Sequence, residues 1–144
     1  MGTPVKKTAH VVWTGGIKDG GGQITTESGV LRNAPYGFNS RFEGGKGTNP
    51  EELIAAALAG CFSMALALTL GEAGFTATSI TTDAEITLEK SASGYEITSS
   101  HLIVTAVVPG ADAVPFEALA RKTLAGCPIS KVLRAPITMM ARLA

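Results

Sequence analysis

The chain has 144 residues, a length that suits one domain with a sizeable core. Twelve Lys and Arg residues against twelve Asp and Glu leave no net charge, so nothing points to a nucleic-acid or anionic-membrane partner. Two cysteines do not make a disulfide scaffold, and two histidines without close Cys/His spacing do not make a zinc site.

The segment Met1–Trp13 carries Lys6 and Lys7 but no apolar signal core, which argues against secretion and for a cytoplasmic protein. Thr8 to Thr14 is predicted as a first strand, broken by Gly15-Gly16. Gly20-Gly21-Gly22 precedes a second, Gln23 to Ser28, rich in β-formers. The glycine triplet lacks the Lys-Ser/Thr ending and following helix of a phosphate cradle, so it reads as a turn. Asn33 to Gly37 is another turn, and Phe38 to Phe42 is expected as a short strand carrying Arg41. Glu43 to Gly47 is a loop.

The stretch that organises the chain follows. Thr48 or Asn49 can offer a side-chain oxygen to the orphan amides of a helix start. Pro50 suits its first position, and Glu51 and Glu52 sit well at the positive end of the dipole. Leu53 to Leu70 has no charged residue, Ala and Leu favour helix, and Gly71 or Gly74 can end it. About 21 residues make a rod of roughly 31 Å, long enough to span a bilayer. The run is mainly alanine, without basic clusters or an aromatic belt at its ends, so it reads instead as the buried centre of a soluble protein.

Thr78 to Lys90 alternates around Ile80, Ala84, Ile86 and Leu88, and Tyr95 to Val108 returns beside it after a turn at Ser91 to Gly94. The apolar phase changes near Ser99-Ser100-His101, which predicts a bulge or a switch of face. His101 and His10 read as ordinary strand histidines. Pro115 opens a helix that Gly126 stops, Pro128 begins a shorter one over Ile129 to Arg134, and Ile137 to Leu143 is a last strand. The expectation is one α+β domain over residues 1–144.

Each cysteine alone suits a small buried core residue. Cys127, however, lies between Gly126 and Pro128, where it occupies the cap of the next helix. Amides and the dipole there favour a thiolate, so local physics nominates Cys127 as the more acidic sulfur. Two readings without catalysis remain open: a module binding an apolar ligand, and an interaction protein whose long helix is only a dimer core.

The segments Glu27 to Leu31, Pro35 to Asn39, Arg41 to Glu43, Gly47 to Leu53, Ala59 to Ala65, Gly71 to Phe75 and Ala125 to Ser130 together resemble the OsmC / organic hydroperoxide resistance protein family. The likeness covers nearly the whole chain and holds both cysteines in their expected contexts. It departs at Gly60, where alanine is common. It implies an OsmC-like fold of antiparallel sheets around a long central helix, in an intertwined homodimer. It further implies a cysteine peroxidase with Cys61 as peroxidatic thiol, Cys127 as resolving thiol, Arg41 as activating cation and Glu51 as its acidic partner. That order reverses the local ranking of the two sulfurs. The implied substrates are organic hydroperoxides and, more weakly, hydrogen peroxide, and the implied reductant is an external dithiol of lipoyl or similar type. No metal, haem or flavin is called for, and no nucleic acid or membrane. Phe42, Leu58, Phe62 and Met64 are expected to line an apolar pocket. Glu51 and Cys61 are ten residues apart, about 15 Å along one helix, so Glu51, with or without Arg41, is expected to serve the Cys61 of a second copy.

Overall fold

A computed structural model describes residues 2–144 and divides the chain into two compact units, Met1–Leu53 and Ile54–Ala144. In the first, β1 (Ala9–Thr14), β2 (Gly21–Thr26) and β3 (Ala34–Tyr36) form an antiparallel sheet in the order β1-β2-β3. Trp13 and Tyr36 flank Gly22 in this sheet and meet edge to face, ring centres 5.7 Å apart. A side chain at Gly22 would collide with the Tyr36 ring, so glycine is what lets the two aromatics close over β2.

Phe38–Phe42 is a helix, α1, and not the expected strand. The reason lies in the spacing: Phe38 and Phe42 share one face at period two and also at i, i+4, where their ring centres stand 5.1 Å apart. Ser40 decides for the helix. Its hydroxyl accepts from the Gly37 amide at 2.9 Å and donates to the Thr48 carbonyl at 2.8 Å. The third strand is instead Ala34–Tyr36, inside the stretch expected to be a turn.

The long helix α2 (Pro50–Glu72) begins in the first unit and belongs mostly to the second. Asn49, of the two candidates, supplies the cap: its Oδ1 accepts from the Glu52 amide at 2.8 Å. The far end is a Schellman turn. Gly74 takes φ +88°, Phe75 N–H reaches the Leu70 carbonyl at 2.9 Å, and Gly74 N–H reaches that of Gly71 at 3.0 Å.

The second unit contains β4 (Ser79–Ser91), β5 (Gly94–Val107), α3 (Ala113–Gly126), α4 (Pro128–Val132) and β6 (Ile137–Leu143), with strand order β4-β5-β6. The bulge falls where the phase change indicates: Thr87 pairs with Ser99 and Leu88 with Ile97, leaving Thr98 without a partner across the ladder. β6 runs parallel to β5, so this sheet is mixed and not antiparallel throughout. A parallel return needs a crossover, and α3 and α4 provide it.

Leu58, Phe62, Leu66 and Leu70, each four residues on, form one buried stripe of α2 against Leu102, Val104 and Ala106 of β5 and Phe116 and Ala120 of α3. Burying each Leu or Phe contributes about 1.5–3 kcal/mol. The helix is therefore buried on one stripe only. Met64 is 79% exposed and Leu68 66%, and Ala57, Gly60, Ala67 and Gly71 beside them are also exposed. α2 is long and apolar enough to cross a membrane, with a mean hydropathy of 2.2 over its most apolar stretch.

Candidate active site

Arg41 and Glu51 come together within the first unit. The Ser40 hydroxyl ties α1 to Thr48, and Asn49 Nδ2 donates to the Ser40 carbonyl at 3.0 Å, so α1 is fastened to the start of α2. One residue further along each element, Arg41 Nε donates to Glu51 Oε1 at 2.6 Å. Glu51 lies in the first turn of α2, where the dipole also favours its carboxylate. Its side chain is 10% exposed and that of Arg41 38%. The guanidinium stands 5.2 Å from the centre of the Phe42 ring.

Cys61 and Cys127 come together within the second unit, although 66 residues separate them, with Sγ to Sγ at 2.9 Å. Both are free thiols. Cys61 is in the middle of α2, next to the buried stripe at Phe62, and is partly exposed. Cys127 is wholly buried at the corner between two helices. Its amide donates to the Thr123 carbonyl at 2.9 Å to end α3, and it caps α4 with Pro128 at the first helical position.

The two sulfurs titrate as a pair, with their environments pulling in opposite directions. Burial pushes the Cys61 thiol up and its hydrogen bond with Cys127 adds to this, against a smaller lowering by the Ile129 amide. Burial also pushes Cys127 up, but it is outweighed by hydrogen bonding from Cys61, by the Ser130 hydroxyl, and by the Ser130 and Ile129 amides. The net direction is down. While both are protonated, the Cys127 thiol donates to Cys61 Sγ. Once one proton is lost, it is Cys127 that carries the charge and Cys61 that donates. These directions run the same way as the local ranking of the sulfurs.

Ser130 is the residue the sequence reading passed over. Its hydroxyl oxygen is buried without a hydrogen-bond partner among the described residues. The signal for it was the Cys-x-x-Ser spacing from a helix cap to its third residue, the spacing of a capping box. Of the expected pocket lining, Leu58 and Phe62 belong instead to the closed core of the second unit, because they fall on the buried stripe of α2. His101 accepts or donates at Nδ1 to Thr138 Oγ1, 2.6 Å away on the neighbouring strand. No group of three metal-binding side chains occurs among the described residues.

The OsmC-like protein family model matches residues 43–141. The chain is 56% identical over 135 residues to Peroxiredoxin OsmC of Escherichia coli (strain K12), covering 94% of each, and the same holds for Peroxiredoxin OsmC of Shigella flexneri. Among solved structures, the organic hydroperoxide resistance protein OhrB of Bacillus subtilis is 29% identical with a TM-score of 0.71, over 95% of this chain and 98% of that one. An organic hydroperoxide resistance protein from Elizabethkingia anophelis, 24% identical, shares the fold with a TM-score of 0.76 over 100% of this chain and 99% of its own.

Proposed function

The chain belongs to the OsmC-like protein family, and we propose on that premise that it is a cysteine-based peroxidase reducing organic hydroperoxides. The observation that carries this reading is the meeting of Cys61 and Cys127 at 2.9 Å as free thiols. Cys61 is the peroxidatic sulfur because it is the one a peroxide can reach, Cys127 being wholly buried. Its thiolate attacks the terminal peroxide oxygen, the S–O bond forms as the O–O bond breaks, Cys61 becomes a sulfenic acid, and the departing alkoxide takes up a proton from water to leave as alcohol. Cys127 then displaces hydroxide to form the disulfide, and an external dithiol of lipoyl or similar type reduces it by exchange.

Because burial raises the Cys61 thiol, the reaction near neutral pH calls for a cation, and Arg41 supplies it. Glu51 takes Nε of Arg41, which leaves the terminal nitrogens to face a thiolate or peroxide. Glu51 and Cys61 are ten residues apart on α2, and Met64 and Leu68 leave an apolar stripe of that helix in solvent. Both features favour a homodimer in which one copy's Arg41 and Glu51 serve the other copy's Cys61, the 144 residues acting as one peroxidase domain in the cytoplasm.

The test is steady-state consumption of cumene hydroperoxide and hydrogen peroxide with a lipoyl dithiol or a monothiol as reductant. Faster turnover of the organic peroxide with the dithiol is expected. No consumption with any dithiol would refute the activity.

A further inference from the structure

The Ser130 hydroxyl, at the third residue of α4, is buried and has no aligned hydrogen-bond partner among the described residues. A buried hydroxyl without a partner is costly, so its surroundings call for a physical account. Its neighbours are informative. Within the second unit, the ionisable group facing Cys127 from α2 is Cys61; α4 faces it with the Ile129 and Ser130 amides and the Ser130 hydroxyl, and α3 is tied to it through the Thr123 carbonyl. The hydroxyl thus stands three residues past the sulfur that caps α4 and favours that sulfur's charge, although no aligned hydrogen bond joins the two. Ser100 Oγ on β5, the other buried hydroxyl without a partner among the described residues, acts on neither cysteine.

We propose that Ser130 is a positioning residue for Cys127, its hydroxyl turning to donate a hydrogen bond to Cys127 Sγ whenever that sulfur is anionic. This rests on the peroxidase reading above. The anion occurs twice in the cycle. In resolution, the Cys127 thiolate attacks the Cys61 sulfenic sulfur, the S–S bond forms, the S–O bond breaks, and hydroxide leaves to take up a proton as water. In reduction, one thiolate of the external dithiol attacks Cys61 Sγ and the S–S bond breaks, expelling Cys127 as a thiolate. The second thiol of the reductant then releases Cys61, and the dithiol leaves oxidised. A donor at Cys127 speeds the attack at low pH by raising the thiolate fraction, and speeds the expulsion by lowering the leaving group's basicity.

The experiment has two readouts. In a Cys61→Ser background, Cys127 is the single thiol, and its ultraviolet thiolate absorbance is titrated with and without Ser130→Ala. The midpoint should rise by about one unit, the effect of one hydrogen bond to a charged group. Ser130→Thr should restore it, and Ser100→Ala should leave it in place. In the otherwise unaltered chain, disulfide formation after one equivalent of cumene hydroperoxide is followed across pH. Tenfold less thiolate, offset about threefold by the greater nucleophilicity of a more basic sulfur, makes Ser130→Ala roughly threefold slower below the midpoints and about threefold faster above them. That crossing of the two pH profiles is not produced by a merely structural role. An unmoved midpoint, or a uniform slowing at every pH, overturns the proposal. A shifted midpoint in a chain whose unaltered form makes no Cys61–Cys127 disulfide would overturn the peroxidase reading itself, and with it the catalytic role of Ser130.

Discussion

The pair Arg41–Glu51 offers a stability prediction that can be worked from its geometry. Pairs exposed to solvent are worth about 0–1 kcal/mol, while removing one partner of a fully buried pair costs about 3–5 kcal/mol. This pair lies between: the carboxylate is 10% exposed, the guanidinium 38%, and the bond is a short charge-assisted one at 2.6 Å. In Arg41→Ala the helix dipole still supports Glu51 in the first turn of α2, which returns about 0.3–1 kcal/mol. We therefore expect a coupling of about 1–2 kcal/mol between the two side chains, discounted for the exposure of Arg41. The assay is urea unfolding of Arg41→Ala, Glu51→Gln and the double variant. Arg41→Ala also loses its contact with the Phe42 ring, but that loss occurs in both Arg41 variants and cancels in the cycle. A coupling within about 0.3 kcal/mol of zero would refute the claim that this contact fastens α1 to α2. Arg41→Lys carries the argument to function, since it keeps a charge but not the planar fork. The alkylation profile of Cys61 should move to higher pH, and an unmoved profile would refute direct activation by Arg41.

Cys61→Ser should abolish peroxide consumption, whereas Cys127→Ser should allow one reduction and then stall with sulfinic or sulfonic acid on Cys61, read by mass spectrometry. The reduced chain should lose its two thiol protons in separate steps, one below and one above the ordinary thiol value of 9.0, in an ultraviolet titration. The sign for stability follows: the contribution of Cys127, whose pKa is lowered on folding, is present above the unfolded pKa and is lost as pH falls through the folded one. That of Cys61, raised on folding, is present below the unfolded pKa and is lost as pH rises through the folded one. Refolding Cys61→Ser together with Glu51→Ala chains should restore part of the activity if the sites are shared between copies. Mixed dimers that form but stay inactive would place each site within one chain.

Where local chemistry and long-range packing agree, the sequence was readable. Asn49-Pro50-Glu51-Glu52 and Gly74 mark the two ends of α2 because caps, a fixed φ and a left-handed residue act over one turn. Cys127 was legible as a cap for the same reason, and Ile137 to Leu143 emerged with its limits intact. What was missed depends on partners far along the chain. Phe38 and Phe42 suit a strand and a helix equally, and the choice falls to Ser40 and its bond to Thr48. The parallel placement of β6 follows from the crossover through α3 and α4, on which the alternation of β6 alone is silent. The cysteine pair itself was available only through family resemblance, since no local rule joins residues 66 apart. Ser130 was overlooked because a serine in a first turn is ordinary until burial removes its water.

The most direct test of the central claim is a count of free thiols before and after one equivalent of cumene hydroperoxide, with peptide mapping of the product. The expected result is rapid loss of two thiols per chain and a disulfide joining Cys61 to Cys127 of the same chain, reversed by a dithiol. Two thiols still free after peroxide, or a disulfide only between chains, would contradict it.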